Sequence, residues 1–569
     1  MFEILCLTGL VWLAYIGVYR CGFVSDDIEG LVKYEGKLRA YNYAHLSKWL
    51  AYKILGKDPL RNHLASVVIH NANVVLLYLL LIRFMPMQVA FFASLLFAVH
   101  PLTAQSVAWI SGRGYALGLF FCLLSYHTVI LLQPTDIIGF NSIKMGAVFV
   151  LFAILHHLAI NAQFAAISTP FILMLMGYWF PAIIGLVVSG VNGLNIVQSV
   201  IKGRSAHFEE QNLGRSTKLN LKKHVVMLKT LFYYTYLTLF PKRMGLYHKF
   251  FYHYDDKTEQ DDKYSWAGFG VILGLIALFI WGNMAVKLGV LWYLAYVVIF
   301  LNSITIHQFV SERYLYFSII GITILLATVL VNYPLALMFI LGVAIMRLWE
   351  YIPAFYDEIC YYQNNIWNFP DSEVAFGNMG VTYLQLGCIG SAVDMWLVAL
   401  NIRPDYDVAH YNLCSIFRNK GDLDKALFHL KKAIESPISH FKKTWSDELV
   451  KLEHEIKYRD TYNTLRVELG KVIQDPAKKE EAIRINKQLD ELNQLHIKIE
   501  QERKDKLNFV VMEQNNLKAK IIELDKIKED LSKNMGLEEV VKIRDSHFGM
   551  IMQKASTILN ADTANRVQS

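Results

Sequence analysis

The chain has 569 residues, 54% of them hydrophobic, and a mean hydropathy of +0.30. That is too apolar for a soluble protein of this size and places the chain in a membrane. The net charge of +7 is modest and comes from lysines in loops and tail, so it gives no ground for nucleic-acid binding. Six scattered cysteines (Cys6, Cys21, Cys122, Cys360, Cys388, Cys414) form no CxxC pair, which argues against a zinc site or a disulfide framework.

The apolar residues concentrate before residue 350, in runs of about 18–20 residues that match the hydrocarbon thickness. Residues 2–19 lack a basic start and a small-residue cleavage site, so they read as a retained first span. The expected spans are 2–19, 62–82, 88–104, 114–132, 144–160, 163–179, 180–198, 265–283, 287–305, 313–331 and 333–349. The stretch 224–241 carries His224 and Lys229 and reads either as an interfacial amphipathic helix or as a further span. On the eleven-span reading, a cytoplasmic N-terminus puts the C-terminal half on the extracytoplasmic side.

Residues 351–437 change character and repeat with a period of 34, the tetratricopeptide length. Asn378 recurs as Asn412, Gly387 as Gly421, Ala392 as Ala426, Ala399 as Ala433 and Pro370 as Pro404, with Tyr383 recurring as Phe417. Two repeats fall short of the three usually needed, so the flanking helices 345–366 and 438–470 are expected to cap them. Residues 438–569 are charged and helical, with apolar residues at spacings of three and four (Ile485, Leu489, Leu492; Leu517, Ile521, Leu524, Ile527, Leu531). This tail reads as a helical hairpin or coiled coil, or as one solvated helix packed on the repeats.

Paired acids follow the first span, in Phe23-Val24-Ser25-Asp26-Asp27. Carboxylates at the hydrocarbon boundary are costly and usually functional. On the eleven-span reading, one membrane face collects Asp26, Asp27, His63, His100, Arg113, His156, His157, Gln163, Tyr247, Glu312 and Arg313. Taken singly, several have plainer readings. His100-Pro101 can be a helix stop, Arg113 an interfacial anchor or a phosphate ligand, and Glu312-Arg313 a structural ion pair.

Four strings carry the argument further: FVSDDIEG, RNHLASVVIHNANVVLLYLL, LFAVHPLTAQSVAWISGRGYALG and HQFVSERYLYFSIIG. In this order, and followed by the repeats, they resemble the GT-C class of polytopic glycosyltransferases. More closely, over residues 1–437, they resemble the transmembrane-and-tetratricopeptide O-mannosyltransferase family. The fold expected is all-α: a polytopic GT-C-like membrane helix bundle over 1–350, tetratricopeptide repeats over 351–437, and a helical or coiled-coil tail over 438–569.

The resemblance implies a catalytic acid in the first external loop, a polyprenyl-phosphate-sugar donor and a protein hydroxyl as acceptor. Asp26 is the first choice of base, with Asp27 as second acid or metal ligand. Arg113, Arg313 and His100 are expected at the lipid phosphate, with Glu312 and Gln163 lining the same site. A divalent metal fits a carboxylate pair, but nothing in the sequence requires one. Partners expected are the lipid-linked donor, membrane lipids, and a protein acceptor or partner at the repeats. One departure stands out: the family's sixth span opens on Lys-Glu, where this chain reads Asn161-Ala162-Gln163. The alternative expectation is therefore an inactive GT-C-derived scaffold that assembles partners through its repeats and tail. A transporter fits less well, since no pair of broken spans marks a midplane site.

Overall fold

The computed structural model describes residues 1–28, 53–130, 142–193, 221–246, 248, 263–301, 310–436, 442–472, 478, 480–492, 494, 497–498 and 501. Tyr247 and the expected tail seam at Leu517, Ile521, Leu524, Ile527 and Leu531 lie outside these residues. The described residues are overwhelmingly helical and contain no strand. They form two compact units, 1–205 with 214–370, and 206–213 with 371–569. The division falls at Pro370, so the segment 351–368 sits in the first unit.

In the first unit, each expected apolar stretch holds helix. Among the described residues, five helices are long and apolar enough to cross a membrane: Phe2–Arg20, Pro59–Leu81, Met145–Ala162, Tyr264–Trp281 and Pro334–Phe355. The pair Met87–Ala98 and Pro101–Val107, bent by 54°, makes a sixth when taken as one broken span. The bend falls at His100-Pro101, where proline supplies no N–H to continue the ladder. Other apolar helices are shorter, among them Phe164–Leu175, Met284–Phe300 and Ile319–Leu330. The ambiguous stretch 224–241 is one helix, Leu221–Leu239, packed along Lys263–Trp281. Gly268 permits that approach, because a Cβ there would sit 2.1 Å from the Leu228 carbonyl oxygen.

The helix Arg113–Ile130 packs against both Pro59–Leu81 and Ser142–Ala162. Met87–Ala98 packs on Ile319–Leu330, which also packs on Met284–Val297. The helix Pro59–Leu81 carries a polar stripe, Asn62, His63, Ser66, His70 and Asn73, whose side chains are all buried. Buried polar groups in a membrane must find partners inside the protein. The His70 Nε2 donates to the Ala98 carbonyl (3.1 Å) and its Nδ1 accepts from the Tyr316 hydroxyl (2.8 Å). The stripe is thus a set of bolts from the second span to its neighbours.

The second unit contains two helix hairpins, Glu373–Gln385 with Ile389–Ile402 and Asp407–Asn419 with Leu423–Glu435. Corresponding helices start 34 residues apart (407 − 373 and 423 − 389). Both hairpins turn on a glycine in the left-handed region, Gly387 at φ 78° and Gly421 at φ 81°. The recurring alanines 392, 399, 426 and 433 are fully buried, as close helix packing requires. The helix Lys442–Val472 closes the second hairpin: Trp445 and Leu452 join Cys414, Ala426, Leu430 and Ala433 in one core. Trp445 stacks on Tyr411, with centroids 4.9 Å apart. Farther on, Ile485 and Leu489 are buried in the helical stretch 480–492.

Candidate functional site

The acid loop is held at four points. Gly22 N–H donates to the Phe355 and Tyr356 carbonyls, at 3.1 and 3.0 Å. A Cβ at Gly22 would stand 2.7 Å from the Tyr356 carbonyl oxygen, so glycine is needed for this approach. The Gly22 carbonyl accepts from His63 Nε2 (3.1 Å), and the Val24 carbonyl accepts from the Trp109 indole (3.3 Å). Asp27 is the fourth hold. Its Oδ1 accepts from both the amide (2.7 Å) and the hydroxyl (2.6 Å) of Ser111. Between these holds Ser25 adopts φ 52°, a left-handed backbone that costs a non-glycine residue about 1 kcal/mol.

The two acids consequently differ. Asp27 is 1% exposed and committed to Ser111, whereas Asp26 is exposed. Each lies within electrostatic reach of a different arginine: Asp27 of Arg113 and Asp26 of Arg313. Arg113 is buried and spends its donors on protein, Nε on the Ser66 hydroxyl (2.9 Å) and Nη2 on the Asn62 carbonyl (2.6 Å). Arg313 lies over aromatic faces, 4.9 Å from the Trp109 ring centre and 5.4 Å from that of Tyr314. Tyr314 in turn stacks on Phe300, with centroids 4.6 Å apart and planes 7° from parallel. The Tyr115 side chain faces both Arg313 and Gln163. Gln163 is nearly buried at the break between Ser142–Ala162 and Phe164–Ser168, and Gly118 leaves room for it. Tyr115 thus links Arg313 and Gln163 into one polar surface walled by aromatic rings, with Asp26 within electrostatic reach of Arg313.

Three other expected residues serve the frame. His100 caps the turn Pro101–Thr103: its Nδ1 accepts from Leu102 N–H (3.3 Å) and its Nε2 donates to the Thr238 carbonyl (3.0 Å). Both ring nitrogens of His100 are therefore engaged by the protein itself. Glu312 is completely buried and accepts from Gly245 N–H (2.6 Å) and His248 Nε2 (3.2 Å). His156 donates to Ser189 (2.9 Å) and stacks on Phe152, which fastens it between helices. Among the described residues no group of three or more His, Cys, Asp or Glu is arranged to hold a metal.

One residue central to the site has no motif to announce it. Gln105 is buried and uses all its hydrogen-bonding capacity. Its amide donates to the Gly245 carbonyl (3.2 Å) and the Tyr351 hydroxyl (3.1 Å), and its Oε1 accepts from Ser311 (3.2 Å) and Arg313 N–H (3.3 Å). It lies inside the HPLTAQSV string, but its partners are 140 to 246 residues away.

No family model matches the chain. A protein O-mannosyl-transferase of Caenorhabditis elegans is 27% identical over 150 residues, 21% of this chain and 22% of that protein. Protein O-mannosyl-transferase TMTC3 of Homo sapiens is 25% identical over 149 residues, 22% of this chain and 16% of that protein. This chain resembles the protein O-mannosyl-transferases. The likeness spans about a fifth of the length of these relatives. Among solved structures, ArnT from Cupriavidus metallidurans bound to undecaprenyl phosphate aligns at a TM-score of 0.33 and 13% identity. That alignment covers 78% of this chain and 77% of ArnT.

Proposed function

We propose that the protein is a membrane glycosyltransferase that moves a sugar from a polyprenyl-phosphate carrier to a serine or threonine hydroxyl of a protein, on the non-cytoplasmic face. The observation that carries this reading is the division of labour between the acids. One is buried and fixed, and the other is exposed within electrostatic reach of an aromatic-backed arginine. Partial similarity to protein O-mannosyl-transferases supports the class of acceptor.

In this mechanism Asp26 takes the proton of the acceptor hydroxyl as its oxygen attacks the anomeric carbon. The bond from that carbon to the phosphate oxygen breaks, and the phosphate leaves with the electron pair. One displacement inverts the configuration. Arg313 offers its guanidinium to the departing phosphate, where fixed positive charge in a dry site is most effective. Gln163 and Tyr115 offer neutral hydrogen bonds to the sugar. Asp27 and Arg113 are positioning residues that hold the loop. The hairpins of the second unit are read as tetratricopeptide repeats that bind the acceptor or a partner on the same side of the membrane.

A second reading has its own observation. Gln163 stands where the resembling family has a charged pair, which favours a scaffold that no longer catalyses. Purified protein in lipid nanodiscs, given polyprenyl-phosphate hexose and Ser/Thr peptides, separates the two. Release of polyprenyl phosphate with hexose on the peptide supports the enzyme. Neither product, from protein that still binds its partners, supports the scaffold.

A further inference from the structure

The carboxylate of Glu312 ends a buried chain of hydrogen bonds that the site described so far does not use. Glu312 Oε1 accepts from His248 Nε2 at 3.2 Å, and His248 Nδ1 pairs with the Tyr233 hydroxyl at 2.8 Å. Both His248 and Glu312 are 0% exposed. A carboxylate can only accept, so His248 Nε2 carries a proton. In a neutral ring Nδ1 is then the acceptor, and the Tyr233 hydroxyl is the donor. In that neutral form the chain runs one way, Tyr233 O–H to His248 and His248 N–H to Glu312. This is the tautomer logic of an oriented imidazole.

Glu312 immediately precedes Arg313 in the turn Glu312–Leu315. The same turn is tied by Arg313 N–H to Gln105, whose amide also reaches Gly245 and Tyr351. Tyr351 faces Glu312 as well. Gly245 N–H donates to Glu312, so Gln105 and Glu312 grip the two sides of one peptide segment. Phe369 packs on the His248 ring, with centroids 4.7 Å apart. The turn carrying Arg313 is thus held by Gly245 and His248, and through His248 by Tyr233 of the helix Leu221–Leu239.

We infer that Tyr233, His248 and Glu312 are positioning residues for Arg313, setting the affinity of the site for a lipid phosphate. This rests on the reading of Arg313 as the phosphate ligand. A guanidinium binds phosphate well only when its fork is held in plane and in place. Loosening the turn beneath it weakens binding without removing any group that touches the ligand.

The test uses the full chain in nanodiscs and titrates undecaprenyl phosphate. Tyr233→Phe deletes one hydroxyl, and His248→Gln keeps a donor toward Glu312 but loses the acceptor for Tyr233. Each is expected to weaken binding roughly five-fold, the size of one buried hydrogen bond, with the thermal midpoint little changed. Together they give no more than either alone. In an Arg313→Ala background, already weakened, both become silent. Additive losses in that background, or unchanged affinity in Tyr233→Phe while Arg313→Ala weakens binding, overturn the inference alone. Unchanged affinity in Arg313→Ala removes the phosphate role of Arg313 and the inference with it. If His248→Gln does not fold, Tyr233→Phe decides by itself.

Discussion

Asp27 and Ser111 are joined twice, by the backbone amide at 2.7 Å and the side-chain hydroxyl at 2.6 Å. They are 84 residues apart, so this one carboxylate closes the loop after the first span onto the turn that opens the helix Arg113–Ile130. A carboxylate fixed in this way is poorly placed to act as a base, since it is buried and its Oδ1 already accepts two hydrogen bonds. Its neighbour Asp26, one residue away, is exposed and is the acid proposed to meet substrate.

The two acids should therefore respond differently to amidation. Asp26→Asn is predicted to leave the thermal midpoint unchanged and to lower the transfer rate at least a hundred-fold, the scale of a lost general base. Asp27→Asn turns an amide toward Val24 N–H or Ser111 and leaves the buried Arg113 without its counter-charge. It is predicted to cost about 3 kcal/mol, measured as a drop in the thermal midpoint of the protein in nanodiscs.

Arg313→Lys keeps the charge but gives up the flat guanidinium that covers Trp109 and Tyr314. The expected result is a donor KM raised about ten-fold, with a smaller change in kcat, because lysine binds phosphate as a point charge. Steady-state kinetics against donor concentration read this directly.

Gly112→Ala should fail for a steric reason. A Cβ there would lie 1.8 Å from the Gln105 carbonyl oxygen and 2.9 Å from its carbon, both backbone atoms that cannot swing away. The expected cost is about 3 kcal/mol or more, seen as loss of folded protein in detergent. Gly114→Ala is a useful control, since its Cβ would meet only the Ala162 carbonyl at 3.3 Å.

The second unit carries a pH dependence of its own. His410 Nε2 donates to the Pro404 carbonyl (2.9 Å), so in the neutral ring its Nδ1 accepts from His429 Nδ1 (2.9 Å). Burial, then the neighbouring His410, lowers the His429 pKa from 6.5 to about 4. Burial also lowers that of His410, with Lys432 adding to the effect and Asp405 and Asp407 opposing it. Both folded-state values lie below the unfolded one, so the unfolded chain binds more protons in acid. Stability is complete above about pH 6.5 and declines as the pH falls toward 4. Hydrogen exchange of amides 407–435 should quicken across that window, and His429→Gln should flatten the response.

Legibility in the sequence followed the range of the interaction. Helices were visible because apolar runs and the 34-residue period are local, and the hairpins with Gly387 and Gly421 follow that register. The acid pair was visible because charge beside a span is conspicuous. The inequality between Asp26 and Asp27 was not, since it depends on Ser111, far along the chain. His100 looked like a ligand for the opposite reason: a histidine before proline gives no sign that Thr238 and Leu102 consume its nitrogens. Gln105 was silent because a lone glutamine has no spacing to read, although four groups converge on it. The helix Lys442–Val472 has a mostly polar surface, and a narrow apolar stripe of Trp445, Leu449, Leu452 and Ile456 turns it onto the hairpin.

The most direct measurement is the occupancy of hexose on serine and threonine in cells that carry either the native chain or Asp26→Asn at equal abundance. The account predicts that a defined set of Ser/Thr hexose sites disappears with Asp26→Asn, while the protein's associations persist. Unchanged glycans in Asp26→Asn cells, with a complex lost only on deleting residues 438–569, would contradict it and leave the chain a scaffold.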